Sequence, residues 1–199
     1  MGLFDLLKRQ VGAQLRQEAA KALHSVAQSG GEGEEIAETF VFAALPTSLA
    51  ELQALPEAAL DSPYKTAALA IAALWRFEED EKAVHEMLDF LKGPDTLSNA
   101  EKQFLRDRLQ GKGYKCRAFF AGATPDNGYA PQTPYRLTVS ANPYSFATEN
   151  WAILYVQSGG ADAPRPIKLR KKPSTGQWFL NELQCLSDIR IPAADDPWA

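Results

Sequence analysis

The spacing of apolar residues changes once along this chain, near Tyr114, and that change restricts the fold class more than any single motif does. Ahead of it, apolar side chains mostly recur at three- and four-residue steps, the repeat of one helix face. Beyond it they alternate along short segments: Ile167 and Leu169 with Lys168 and Arg170, Trp178 and Leu180 with Phe179 and Asn181. That is the period of strands on a pleated sheet. Helices followed by strands predict an α+β domain rather than an alternating α/β one. The expected architecture is a layer of three or four helices and then a curved antiparallel sheet of about five strands.

Strands are expected at 115–121, 135–141, 150–158, 165–172 and 177–183, separated by loops rich in Gly, Pro and Asn. The run TFVFAALP (residues 39–46), stopped by Pro46, suits a further buried strand ahead of the helices. Ser48 with Glu51 has the capping-box spacing of a short helix, and Ser62 with Pro63 fills the N-cap and N1 positions of the next. Ala67 to Trp75 contains no polar residue, so the helix over 64–77 is expected to be central and buried. Residues 80–92 place Val84, Met87, Leu88 and Leu91 on one face, and Ser98 with Glu101 opens a further helix that Gly111 closes. In an up-and-down meander, loop 122–134, loop 159–164 and the tail after Leu183 gather at one end of the sheet.

The N-terminal part reads separately. Phe4, Leu7, Val11, Leu15, Ala19, Ala22 and Val26 form one apolar stripe, predicting an amphipathic helix over 1–28. Residues 29–38 form a Gly- and Glu-rich flexible linker, and 39–199 a single α+β domain. An apolar stripe on a leash has to be covered. Self-association or a protein partner through residues 3–28 is the expected use, with peripheral membrane contact through Leu3, Phe4, Leu6 and Leu7 as the other.

Four stretches carry a resemblance: FVFAALPTSLAELQALPEAAL, FLKGPDTLSNAEKQFLRDR, SGGADAPRPIKLRKKPSTGQWFLNE and the ending DIRIPAADDPWA. Over residues 40 to 199 the chain resembles a family of uncharacterised bacterial proteins, a domain of unknown function. That resemblance implies no reaction, ligand or catalytic residue. The architecture is also similar to the NTF2-like cone fold, through a G-x-W pattern at Gly176 and Trp178, although TFVFAALP before the helices departs from it. No function follows, because that fold hosts many.

Composition narrows the function classes. The chain has 199 residues, 45% of them hydrophobic, and a net charge of −4, which gives nucleic-acid binding no global support. Two cysteines, Cys116 and Cys185, are too few for a disulfide framework and read as reduced core thiols. No apolar run approaches the ~18 residues that span a bilayer, and no secretory pattern opens the chain, so a cytoplasmic address is expected.

Three groups of residues are candidates for a site. Arg165, Lys168, Arg170, Lys171 and Lys172 form a basic cluster that either binds an anionic group or is a solvated strand face. Asp126, Asn127, Tyr129, Asp162, Arg165, Asp188 and Arg190 lie on the loops expected at one sheet end, as a binding site or as ordinary turn chemistry. In HEMLD (residues 85–89) Asp89 stands where a zinc helix needs a second histidine, so His85 reads as a surface residue. With no phosphate loop, dinucleotide fingerprint or nucleophile motif, no cofactor, metal or catalytic residue is assigned. The expected function is a non-enzymatic intracellular interaction module that oligomerises through its N-terminal helix. The alternative is a small-ligand binder or enzyme with a pocket between sheet and helices, using Asp126, Asp162 or Glu182 with Tyr129.

Overall fold

The computed structural model describes residues 36–198. The helix expected over 1–28 and the linker up to residue 35 lie outside the described residues. Strand β1 (Ile36–Phe42) opens the domain, beginning at Ile36 rather than Thr39. Then come α1 (Leu49–Gln53), a 3-10 turn at Pro56–Ala59, α2 (Pro63–Leu74), α3 (Glu81–Lys92), α4 (Asn99–Leu109) and the one-turn α5 (Tyr114–Arg117). Strands β2 (Tyr135–Ala141), β3 (Trp151–Val156), β4 (Arg165–Lys171) and β5 (Trp178–Leu183) follow. The sheet has five strands in the order β1-β2-β3-β4-β5, every neighbouring pair antiparallel, and is open. The class is α+β.

One expected strand is absent. Residues 115–121 form the end of α5 and a turn, because their buried side chains Cys116, Phe119 and Phe120 stand three and four apart, a helical rather than an alternating step. Phe120 packs edge-on against Trp75 and Tyr135. The fifth strand is instead β1, which pairs along its whole length with β2 from Ile36↔Ala141 to Phe42↔Tyr135. Its alternation is plain: Phe40 and Phe42 are buried, Thr39 and Val41 exposed.

The helix boundaries follow their caps. Ser62 Oγ accepts the Tyr64 N–H with Pro63 at N1, and Asp80 Oδ1 accepts the Ala83 N–H. Ser98 and Glu101 complete both halves of a capping box. At Ser48 only half forms, because the Glu51 carboxylate takes the Thr47 N–H and hydroxyl instead.

Helix α2 is the core. Every residue from Ala67 to Leu74 is inaccessible to solvent. It packs on strands β2 to β5 along one side and on α3 along the other, and its run of alanines lets backbone and sheet approach closely. Burial of Leu69, Ile71 and Leu74 contributes about 1.5–3 kcal/mol each. Helix α3 adds Val84, Met87, Leu88 and Leu91, the four positions expected to face inward.

The start of β2, the β3–β4 connection and the exit of β5 share one end of the sheet, as a meander requires. The β4–β5 ladder carries an irregularity: Leu169 faces Leu180 while Lys168 faces Glu182, so Asn181 is an extra residue with no opposite number. Such a bulge re-aims the residue it inserts.

Candidate functional site

The loop end does bring Tyr129, Asp162, Arg165, Asp188 and Arg190 together, and it spends them on one another. Arg190 holds the centre: its backbone N–H and Nε donate to Gly160 O at 2.9 and 3.3 Å, and its Nη2 donates to Asp162 Oδ1 at 2.8 Å. The Tyr129 hydroxyl donates to Arg190 O at 2.7 Å, and Arg165 Nη2 donates to Asp188 O at 2.7 Å. Tyr129 is wholly buried and stacked on Tyr114. Burial, and then the neighbouring Tyr114, push its phenol above the usual tyrosine range despite Arg190, so it remains a protonated donor at neutral pH. Asn127 ties its own loop through Gly122 O and Ala130 O, while Asp126 stays exposed outside this network. The cluster is a clamp that fastens the tail to the sheet.

The basic strand divides. Lys168 and Arg170 project from the sheet face opposite Ile167 and Leu169, and both stack over Trp151, Nζ at 4.8 Å and Cζ at 5.1 Å from the ring centroid. Lys168 also faces Glu182 across the ladder. Lys171 lies over Trp178 at 5.8 Å, at the start of the β4–β5 turn. The turn's G-x-W pattern has a local cause, since Gly176 adopts φ +75°.

His85 is largely buried rather than a surface residue, because it packs edge-on against Phe77. Its Nε2 is buried 3.4 Å from Glu81 Oε1 without hydrogen-bond geometry, and Glu81 is held by Arg106 Nε at 2.7 Å. Burial pulls its pKa below the usual histidine value, with Lys102 and Arg106 acting the same way and Glu81 and Asp89 opposing. Asp89 accepts the Leu97 N–H at 2.6 Å and so anchors the α3–α4 loop. No group of three or more metal-ligating side chains occurs among the described residues. Both thiols are unpaired and fully buried, which pushes Cys185 up to about 12 and Cys116 higher still.

A different site lies beside β5. Helix α4 and the loop before it stand off from the strand and leave a groove of about 380 Å³ lined by Leu97, Ala100, Phe104, Leu105 and Leu183. A second groove of about 270 Å³ continues from it, lined by Arg170, Lys171, Lys172, Asp95 and Phe179. The two adjoin at Lys92, Leu180 and Asn181, and are together called the trough: one part mainly apolar, with Glu101 and Glu182 at its border, the other mainly basic. Lys92 sits at the junction, 8% exposed, with Nζ 2.8 Å from Glu101 Oε1 and 3.3 Å from Asn181 O. The carbonyl freed by the bulge is therefore met by a buried ammonium.

At the far end the edge of β5 is closed: the Trp178 N–H donates to Leu60 O, and Trp178 O accepts the Thr66 hydroxyl, both at 2.8 Å. Sequence reading missed Lys92, Glu101 and Asn181. Lys92 stands four residues after Leu88, on the face α3 buries, and a lysine at such a position was the available signal.

No curated protein matches this chain, and no solved structure does. A family's sequence profile covers residues 44–193. The chain belongs to that family, the domain of unknown function DUF6935.

Proposed function

We propose that this domain is a non-catalytic binding module whose ligand lies along the trough beside β5, as an extended segment apolar at one end and acidic at the other. The observation that carries the reading is the junction of an apolar groove with a basic one at Lys92, Leu180 and Asn181. A trough bounded by an edge strand and a helix suits a chain laid alongside the sheet, where side chains in alternate pockets supply specificity. A small-molecule site encloses most of its ligand. The commitment of Tyr129 and Asp162 to Arg190 argues against acid–base chemistry at the loop end.

The probe for the trough is anilinonaphthalene sulfonate, which joins an apolar aryl system to an anion. The full chain is expected to enhance its fluorescence, with binding weakened at least tenfold by Lys171→Glu with Lys172→Glu and by Ala100→Trp. Binding untouched by both variants would place the dye elsewhere and sink the reading.

We also propose that residues 3–28 carry self-association, or capture of a protein partner, in a reducing, cytoplasmic setting that the two unpaired thiols support. The described residues 36–198 carry a continuous hydrophobic core of their own. Removing residues 1–35 is therefore expected to leave the cooperative unfolding transition in place while lowering the assembled mass in native mass spectrometry. A shortened chain that no longer unfolds cooperatively, or that assembles unchanged, contradicts this assignment.

A further inference from the structure

The tail of this chain has the chemistry that the trough would select. Asp195 and Pro197 are exposed, Asp196 is half-exposed, and Trp198 is 94% exposed. An indole left in water at that extent is unusual, because burying it removes about 150–250 Å² of surface from solvent. The tail is also partly set in shape: Asp196 Oδ1 accepts the Trp198 N–H at 2.9 Å, and Pro197 holds its own φ.

Resting on the trough reading, we propose that the segment Asp195–Trp198 of one copy docks in the trough of a second copy. Trp198 enters the groove formed by Leu97, Phe104 and Leu183, and the two aspartates lie over Arg170, Lys171 and Lys172. The lengths agree. Asp195 to Trp198 reaches about 10 Å when extended, and Phe179 to Leu183 covers about 13 Å of strand. The signs agree at the basic part, where two carboxylates meet Arg170, Lys171 and Lys172 beside Asp95, while Glu101, paired with Lys92, and Glu182 border the part that takes the indole. In its own chain the tail leads elsewhere: Arg190 is fastened to Gly160, and the 3-10 turn at Ala193–Asp195 packs near Pro125–Asn127. Tail and trough are different surfaces, so copies either link head-to-tail into chains or rings or exchange tails reciprocally about a two-fold axis.

The test uses the full-length Trp198→Ala protein, whose trough its own tail no longer fills, and a fluorescein-labelled peptide of residues 191–199, IPAADDPWA. The peptide is expected to bind by anisotropy, to bind at least tenfold more weakly with alanine at 198, and to lose affinity as salt rises. In sedimentation velocity the Trp198→Ala and Asp195→Arg proteins are expected to form smaller assemblies than the parent, while keeping the association assigned to residues 3–28. If the naphthalene dye binds the trough but the peptide does not, the trough stands and the tail inference fails. If neither binds, both fail. Self-association unchanged by Trp198→Ala also overturns the inference.

Discussion

Gly160→Ala is expected to lower the melting temperature by about 10 °C, through a loss of roughly 3 kcal/mol in a domain of this size. A Cβ on Gly160 would collide with the Tyr129 hydroxyl and with Ile189 Cγ2. Neither neighbour has room to retreat: Tyr129 is fully buried and stacked on Tyr114, and Ile189 is 6% exposed. Overpacking of this kind costs about 1–3 kcal/mol. Displacing Tyr129 also breaks its bond to Arg190 O, and leaving a carbonyl unmet costs about 1–3 kcal/mol where it stays shielded from water. The control is Gly176→Ala, where nothing lies within 4 Å and only the left-handed φ of +75° opposes the methyl, at about 1 kcal/mol. Differential scanning calorimetry of the two variants separates them. Equal losses would show that the loop clamp contributes nothing beyond ordinary turn chemistry.

The second large effect is an asymmetry across one ion pair. Glu101→Ala is expected to destabilise the domain by about 3 kcal/mol, since it strands the buried Lys92 ammonium and removes a capping box worth about 1 kcal/mol. The figure sits at the low end for buried pairs because the Glu101 side chain is 39% exposed and water screens part of the interaction. Lys92→Met is expected to cost about 1–2 kcal/mol, because methionine fills the same space without a charge to satisfy but leaves Asn181 O without its donor. Urea denaturation of both variants checks this, and a Lys92→Met loss as large as that of Glu101→Ala would overturn it.

The pair also predicts a pH dependence. Burial raises the Glu101 carboxyl, but the bonds from Lys92 and Ser98 together outweigh it, so its pKa lies below the usual glutamate range. A folded-state pKa below the unfolded value means that the folded chain binds fewer protons. The stability this group contributes is therefore full above about pH 5 and is lost as pH falls through the folded-state value. Glu101→Ala should flatten that part of the acid limb.

Lys92 shows why such a site escapes a linear reading. Its position on the buried face of α3 was visible, yet its two partners lie nine residues on, at Glu101, and across the domain, at Asn181. The Asn181 carbonyl is available only because the β4–β5 ladder slips by one residue, and a slip in register leaves no mark on one strand alone. The basic residues were visible too, but Arg165 went to the clamp, Lys168 and Arg170 to the Trp151 ring, and Arg170, Lys171 and Lys172 to the trough's rim. Asp126 and Tyr129, three residues apart on one loop, ended as a solvent-facing carboxylate and a buried donor.

The local chemistry determined a good deal by itself. Caps at Ser62 and Ser98, the unbroken apolar run of α2, the inward face of α3 and the alternation of β4 depend on neighbours within a turn or a strand, so they were legible one residue at a time. The tertiary structure decided what depends on distant partners. It turned residues 115–121 into a helical turn, because Phe120 is held by Trp75 and Tyr135, and it brought β1 across the helices to complete the sheet. It also opened the trough, which belongs to no segment: it exists where α4 stands off from an edge strand, and that spacing is set by packing rather than by any local pattern.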